Sequence, residues 1–154
     1  MKKSWQEKLK ESKDLPKVVV LGEHGQVHWG GKTMAVPSPM EVNEIMAGVP
    51  HGKLITTNVI RQRIAAKHNA DIGCPLTSGI FSWIAAHAAE EQKLSGAEKF
   101  TPWWRTLKSD GTLNEKYPGG AENQAALLEQ EGHVIVRKGK QLRVARFEDL
   151  LVEV

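Results

Sequence analysis

Residues 49–57, which read Val-Pro-His-Gly-Lys-Leu-Ile-Thr-Thr, decide the fold of this chain because they separate two helical patterns. Residues 40–49 carry apolar side chains at helical spacing, and the proline that follows closes that helix. Thr56 or Thr57 can cap the next helix, which we expect to run to about His68. The stretch therefore predicts a short connection between two consecutive helices.

A third helix and a basic hairpin complete the predicted domain. After a break at residues 69–73, Pro75 is a residue type favoured in the first helical turn, and its helix is expected to reach about Lys93. Residues 134–136 and 142–144 flank a Lys-Gly-Lys turn and predict a β-hairpin. We therefore predict a mostly α fold with small β: a winged helix-turn-helix DNA-binding domain with a C-terminal β-hairpin wing and a short N-terminal extension.

The chain divides into three predicted segments. They are an N-terminal extension at residues 1–36, a DNA-binding domain at residues 37–133, and a C-terminal basic hairpin and extension at residues 134–154. The first segment predicts a short polar helix up to residue 12 and a strand at residues 18–21. Residues 23–39 are rich in Gly and Pro and indicate a loop, with room for a strand around residues 27–29.

Composition favours a soluble, monomeric protein of one ordinary domain. The 154 residues are 40% hydrophobic and 25% charged, as in globular proteins. No run approaches the roughly 18 apolar residues of a membrane helix, and the N-terminus lacks the apolar segment of a secretory signal. We therefore expect no membrane contact and a cytoplasmic location. With one cysteine and no cluster of His, Cys and carboxylates, the sequence predicts no disulfide, metal or cofactor.

Basic residues are concentrated in two segments, although the formal net charge is only +3. Residues 50–70 and residues 134–147 both contain lysines and arginines and no acidic residue. Such patches are what contact with nucleic-acid phosphates requires. They are equally typical of a solvated protein surface, so they support DNA binding only in combination with the motifs.

Four further segments follow in a distinctive order. Residues 101–105 read Thr-Pro-Trp-Trp-Arg, residues 110–113 Asp-Gly-Thr-Leu, residues 117–120 Tyr-Pro-Gly-Gly, and residues 127–132 Leu-Leu-Glu-Gln-Glu-Gly. Together with residues 49–57, their order and spacing resemble the O6-alkylguanine-DNA alkyltransferase family. The resemblance covers about residues 37–132, and the larger α/β domain that the family carries before this region is absent or reduced.

The resemblance places Trp103 and Trp104 where the family has its reactive cysteine and the histidine that activates it. Only Glu131, at the position of the glutamate that orients the histidine, is retained. An indole offers one N–H donor and no acceptor, so neither tryptophan can attack a carbon or carry a proton. A tryptophan at the cysteine position resembles the alkyltransferase-like branch, which binds alkylated guanine without repairing it. We therefore predict that this protein is not an enzyme.

A pocket for a nucleobase is the feature that the resemblance implies for the retained residues. Its predicted members are Trp103, Trp104, Arg105, Tyr117 and Glu131. Aromatic stacking on a base contributes roughly 1–3 kcal/mol. The alternative is that the two tryptophans fill the vacated pocket as part of the core, since buried aromatic residues are commonly packing.

The residues that flip a base in the family are not retained. Thr57 stands at the position of a tyrosine that rotates a phosphate, and Thr77, Ser78 or Gly79 at that of an inserted arginine. The predicted DNA contacts are Thr57, Asn58, Thr77, Ser78, Gly79 and Ser82. Phe81 or Trp83 can act as an apolar wedge in DNA or belong to the core.

Three functions are compatible with these residues. The leading hypothesis is a non-enzymatic protein that senses O6-alkylguanine-type lesions in double-stranded DNA and recruits nucleotide-excision repair proteins. The alternative is a winged-helix protein with a filled pocket that binds DNA generally or binds proteins. The third is an enzyme acting through Cys74 or on a small nucleobase-like ligand. The Cys74 thiol precedes a predicted helix, but most lone cysteines are small buried hydrophobes.

Overall fold

The computed structural model describes residues 3–153, in which six α-helices pack with three small β-sheets. The helices are α1 (Trp5–Lys10), α2 (Glu23–Trp29), α3 (Pro39–Ala47), α4 (Thr57–Lys67), α5 (Pro75–Leu94) and α6 (Gly120–Gln130). The strands are β1 (Lys17–Val20), β2 (Thr33–Val36), β3 (Ile55–Thr56), β4 (Ile72–Gly73), β5 (Thr106–Leu107), β6 (Ile135–Lys138) and β7 (Gln141–Val144). Short 3-10 turns lie at Trp103–Arg105 and Phe147–Leu150. The architecture is mixed α/β with helices predominating.

Local capping explains where α3 and α4 begin. The Ser38 hydroxyl accepts a hydrogen bond from the Glu41 N–H, and the Glu41 carboxylate accepts one from the Ser38 N–H, which forms a capping box. The Thr56 hydroxyl accepts from the Val59 N–H at 3.3 Å and caps α4. The cap that the sequence predicts for the second helix is therefore formed by Thr56.

A glycine permits the close approach of α4 to the break that follows it. There β4 pairs in parallel with β2. A Cβ atom added at Gly73 would lie 2.3 Å from the backbone oxygen of Arg61, so no larger residue fits without displacing α4. The connection to α5 is consequently a short extended segment, and α5 starts at Pro75 as its sequence predicts.

The N-terminal segment packs into the same core as the later helices. Leu9 of α1 is 4% exposed and belongs to the hydrophobic cluster formed mainly by α3, α4 and α5. The described part of the predicted helix at residues 1–12 covers Trp5–Lys10, while residues 1 and 2 lie outside the described residues. Strand β1 pairs antiparallel with β2.

The interpretation of residues 23–39 as a loop is wrong in part. Residues 23–29 form α2 rather than a turn with a strand, and β2 follows. The helix ends because Gly30 adopts a left-handed conformation with φ of 78°. None of its residues is buried, so it lacks the apolar periodicity by which a helix is recognised in sequence.

The C-terminal hairpin closes a second cluster around Leu54 and Leu128. Strands β6 and β7 pair antiparallel, one or two residues longer than predicted on the turn side, and the buried Leu142 and Val144 point into the cluster. The last segment then returns to Leu54, directly before β3. There the Leu54 N–H donates to the Leu150 carbonyl at 2.9 Å. Residue 154 lies outside the described residues.

We predict that Leu9→Ala lowers the free energy of unfolding by about 2–5 kcal/mol, because it removes a buried side chain without refilling the space. Urea denaturation followed by circular dichroism measures the change. The matched control is Leu94→Ala on α5, where the leucine is 86% exposed and the expected effect is within about 0.5 kcal/mol. Equal effects of the two variants would mean that α1 is not part of the core.

Candidate functional site

Trp103 lies at the centre of the molecule. It begins the 3-10 turn that precedes β5, has no exposed surface, and donates from its indole Nε1 to Glu90 Oε1 of α5 at 3.1 Å. A buried indole with its only donor satisfied is a stable packing element. The Trp103 side chain is therefore fixed against α5.

Tyr117 fills the space beside Trp103. The two rings meet edge to face with centroids 5.6 Å apart, and the Tyr117 hydroxyl donates to Ser82 Oγ at 3.3 Å. Burial raises the pKa of the Tyr117 hydroxyl well above its ordinary value. This corrects the prediction that Trp103 and Tyr117 line an open base pocket, because their own rings occupy that space.

Glu131 links its own sequence motif to two others by accepting hydrogen bonds from them. Its carboxylate accepts from Arg105 Nε at 3.0 Å, Trp104 Nε1 at 2.6 Å and the Gly52 N–H at 3.2 Å. Arg105 also donates to the Val49 carbonyl at 2.6 Å. Since the groups are paired within the protein, Glu131 and Arg105 support the turn at residues 103–105.

The charge of Glu131 is stabilised in this network. Burial raises the pKa of its carboxyl, but the hydrogen bonds from Arg105, Trp104 and the Gly52 N–H outweigh burial and leave the pKa below its ordinary 4.5. With their side chains 12% and 6% exposed, Arg105 and Glu131 form a largely buried ion pair. Removing either partner would leave the other charge in a poorly solvated position.

An open cavity of about 650 Å³ lies on the outer side of Trp104. Trp104 is half-buried, and its ring meets Phe100 with centroids 6.3 Å apart. The cavity also contacts Arg105 and reaches Gln92, near the C-terminal end of α5. Of the residues predicted for the base pocket, Trp104 and Arg105 thus border open space. The interpretation of the tryptophans as core holds fully for Trp103. Trp104 packs against both hydrophobic clusters but keeps one side on the cavity.

A separate groove of about 320 Å³ lies at the N-terminal end of α5. It is lined by Thr57, Pro75, Leu76, Gly79, Ile80, Trp83, Lys108, Asn114, Glu115 and Lys116. Residues 76 and 92 are 16 positions apart on α5, which at 1.5 Å per residue is about 24 Å. The groove and the cavity beside Trp104 are consequently two different sites.

The predicted DNA contacts divide between surface and core. Thr57 and Gly79 line the groove, and Asn58 is exposed. Ser78 and Ser82 have no exposed surface, and the Ser82 hydroxyl donates to the Gly79 carbonyl at 2.7 Å. Their assignment as DNA contacts is therefore wrong, because both side chains lie on the buried face of α5.

Thr77 and Phe81 are of intermediate exposure. The Thr77 hydroxyl oxygen is buried without a hydrogen-bond partner among the described residues. Phe81 packs against the main hydrophobic cluster, which agrees with its interpretation as core.

Sequence reasoning missed Glu90 and the polar wall of the groove. Glu90 matters because it holds the Trp103 indole, but a pairing across 13 positions, from α5 to the 3-10 turn, leaves no periodic signal. Asn114 and Lys116 fall between recognised motifs. The only available indication was their position directly before the Tyr-Pro-Gly-Gly segment.

Cys74 is the N-terminal cap residue of α5 and is half-buried. Its backbone N–H donates to the Ala35 carbonyl at 2.9 Å. Among residues 3–153, no group of three or more His, Cys, Asp and Glu side chains is arranged to hold a metal ion. Within the same range, every helix is too short or too polar to span a bilayer.

Comparison with known proteins gives two similar solved structures. No family model matches the sequence, and no curated protein matches it. One similar structure is S. pombe Atl1 in complex with damaged DNA containing O6-carboxymethylguanine, with a TM-score of 0.49 and 19% identity. The other is S. pombe ATL in complex with DNA, with a TM-score of 0.48 and 18% identity. Each comparison covers 75% of this chain and 94% of the other.

We predict that Glu131→Gln destabilises the protein by about 1.5–3 kcal/mol at pH 7, because hydrogen bonds to a charged acceptor are lost. The folded pKa of Glu131 lies below 4.5. Its contribution is therefore complete above pH 4.5 and is lost as the pH falls through the folded pKa. The stability difference between wild type and variant should shrink over that acidic range.

Urea denaturation at a series of pH values tests this dependence. Glu129→Gln is the matched control, since Glu129 is an exposed carboxylate near the end of the same helix. A difference between wild type and Glu131→Gln that stays constant from pH 7 to about 3 would contradict a stabilising ionised Glu131.

Proposed function

We propose that this protein is a non-enzymatic DNA-binding protein of the alkyltransferase-like kind, which holds O6-alkylguanine-type lesions without accepting the alkyl group. The observation that carries the proposal is the replacement of the nucleophile inside a preserved setting. Trp103 takes the position of the cysteine, while Arg105 and Glu131 keep their places in the motif and pair with each other at 2.9 Å.

Alkyl transfer requires a nucleophile and a base, and neither is present at residues 103 and 104. Both indole N–H groups donate to carboxylates, to Glu90 and Glu131 respectively, and an indole has no acceptor with which to take a proton. Cys74 is 16 positions from Glu90 along α5, or about 24 Å. The single thiol is thus far from the indole that replaces the nucleophile.

We assign the DNA contact to the N-terminal end of α5. In this assignment α4 and α5 form a helix-turn-helix, and the β6–β7 hairpin is its wing. Cys74 provides no side-chain cap for the first turn of α5, and the backbone N–H groups at a helix N-terminus favour a phosphate. Lys108 and Lys116 border the groove there. The hairpin adds further exposed basic side chains. They are Lys138, Lys140 and Arg143.

Binding without repair implies that other proteins remove the lesion. A protein that holds an alkylated base and leaves it unchanged can mark the lesion for other proteins. Nucleotide-excision repair proteins are therefore the proposed partners. A monomer in the cytoplasm remains the proposed state.

A specific observation favours one other function. Because Trp103 and Tyr117 fill the space between them, the protein can bind DNA generally through α5 and the hairpin, without lesion preference. The two functions differ in one measurable quantity, the affinity ratio between modified and unmodified duplexes.

We predict that the protein binds a duplex with one O6-methylguanine about 5- to 100-fold more tightly than the same duplex with guanine. Capture of one unstacked base on an aromatic side chain has this magnitude, and a weakened base pair lowers the energy needed to extrude it. Fluorescence anisotropy at a fixed salt concentration of about 100 mM measures both affinities, since phosphate contacts depend on salt. Equal affinities would favour the general DNA-binding function.

We also predict that the protein gains no methyl mass after prolonged incubation with O6-methylguanine DNA. Intact-protein mass spectrometry detects the transfer, and Cys74→Ser serves as the control that removes the only thiol. A methyl adduct on wild type that disappears in Cys74→Ser would contradict the non-enzymatic assignment and support an enzyme that uses Cys74.

A further inference from the structure

The groove at the N-terminal end of α5 has an aromatic wall that is set apart from the filled space around Trp103. We propose that Trp83 receives an unpaired nucleobase of bound DNA in this groove by stacking on it. The inference rests on the proposed DNA-binding function and assigns its base-recognition site to residues outside the family-like pocket.

Trp83 is partly exposed and packs against the main hydrophobic cluster. Its ring meets Trp5 of α1 at 75° with centroids 5.8 Å apart, and meets His87 at 88° and 6.5 Å. Trp5 in turn stacks on His87 at 4.5 Å. Both contacts of Trp83 are nearly perpendicular, so among the described residues no ring lies parallel on its indole. The Lys116 ammonium lies over the ring at 6.0 Å from its centroid, so a planar base takes a stacked position on the indole when this flexible side chain moves aside.

The opposite wall is a fixed loop with a polar surface. The Asn114 N–H donates to Gln124 Oε1 at 2.9 Å, and the Asn114 side-chain oxygen accepts from the Lys116 N–H at 2.9 Å. The Lys116 carbonyl is paired with His87 Nε2 at 2.8 Å, which joins the loop to α5. The two walls are thus connected, which reduces the ordering that binding requires.

The groove's chemistry matches a nucleobase attached to a phosphate. The indole supplies a stacking face, and the Asn114 amide and Glu115 carboxylate offer a donor and an acceptor to the polar edge of a base. Lys108 and Lys116 provide positive charge at the rim, and Lys116 Nζ lies 6.0 Å from the Trp83 ring centroid. An uncharged aromatic ligand would leave these lysines unused.

The size of the groove fits one base. Its volume of about 320 Å³ is at the small end of the roughly 300–1,000 Å³ that is usual for ligand pockets. The groove also begins at the first turn of α5, where the DNA backbone is proposed to lie. A base extruded from that DNA has only a short distance to travel, in contrast to the cavity beside Trp104.

The test uses a duplex with a single unpaired 2-aminopurine, whose fluorescence is quenched when it stacks on an aromatic ring. We expect wild type to quench the probe and to bind this duplex more tightly than a fully paired one. Trp83→Leu, which keeps an apolar side chain but removes the stacking face, should abolish the quenching and reduce that preference by about 5- to 100-fold. Trp83→Phe should retain most of both.

Two further variants complete the test: one blocks the groove, and the other removes a tryptophan outside the groove. Gly79→Leu places a side chain in the groove, where no atom lies within 4 Å of an added Cβ. Because Gly79 lies one helical turn before Trp83, the leucine should cover the stacking face and block the base while preserving the helix. Trp29→Leu removes an indole that is 39% exposed on α2 and should behave as wild type. Circular dichroism and thermal unfolding verify each fold.

The outcomes separate the two proposals. Wild type that prefers the O6-methylguanine duplex, with folded Trp83→Leu and Gly79→Leu variants that quench and bind as wild type does, would overturn this inference alone. Wild type that binds no DNA would overturn the proposed function and this inference with it. Free dGMP that competes as well as the unpaired-base duplex would overturn the claim that the base arrives on DNA.

Discussion

The carboxylate of Glu131 is the interaction on which the central turn of this protein depends. It accepts from Arg105, Trp104 and Gly52, and so joins the helix-connecting stretch at residues 49–57 to the turn at residues 103–105. Burial alone would disfavour the charge, but the converging donors more than compensate and lower the pKa of the carboxyl. The acceptors of this carboxylate are satisfied within the protein, and the Trp104 indole is one of the groups that it orients.

Helix α5 separates the buried centre from the surfaces available to a ligand. Its buried face holds Ser82, which bonds Tyr117, while Glu90 bonds Trp103, so the space between Tyr117 and Trp103 is closed. Its N-terminal end borders the groove with Trp83, and its C-terminal end borders the cavity beside Trp104. The space between the two buried rings is thus filled, and the groove at the N-terminal end of the helix is the surface proposed for base recognition.

Much of the helical framework follows from local sequence rules. The Thr56 cap, Pro75 in the first turn and the apolar spacing of α3 and α4 are interactions between near neighbours, and the helices begin within a few residues of where these signals predict. Helix α2 escaped prediction because it buries nothing and is ended by the conformation of Gly30. The short strands β3 and β5 pair across about 50 positions, and two-residue strands carry no periodicity by which they could be found.

The residues of the candidate site could be predicted from the sequence, but whether they leave an open cavity could not. Motif spacing brings Trp104, Arg105 and Glu131 together, as the structure does. Whether Trp103 and Tyr117 leave a cavity depends on side-chain volumes and on partners such as Glu90 and Ser82, which come from a different helix. The same applies to Trp83, whose orientation is set by Trp5 in the N-terminal helix.

The most direct measurement of this account is a titration of the ¹⁵N-labelled indole N–H signals of the five tryptophans with O6-methylguanine duplex DNA. Replacing each tryptophan in turn assigns the signals. The account predicts that the Trp83 signal moves on addition of the DNA while the Trp103 signal, held against Glu90, stays in place. A large shift of Trp103 with an unchanged Trp83 would contradict it, because the base would then enter the space that the two buried rings occupy.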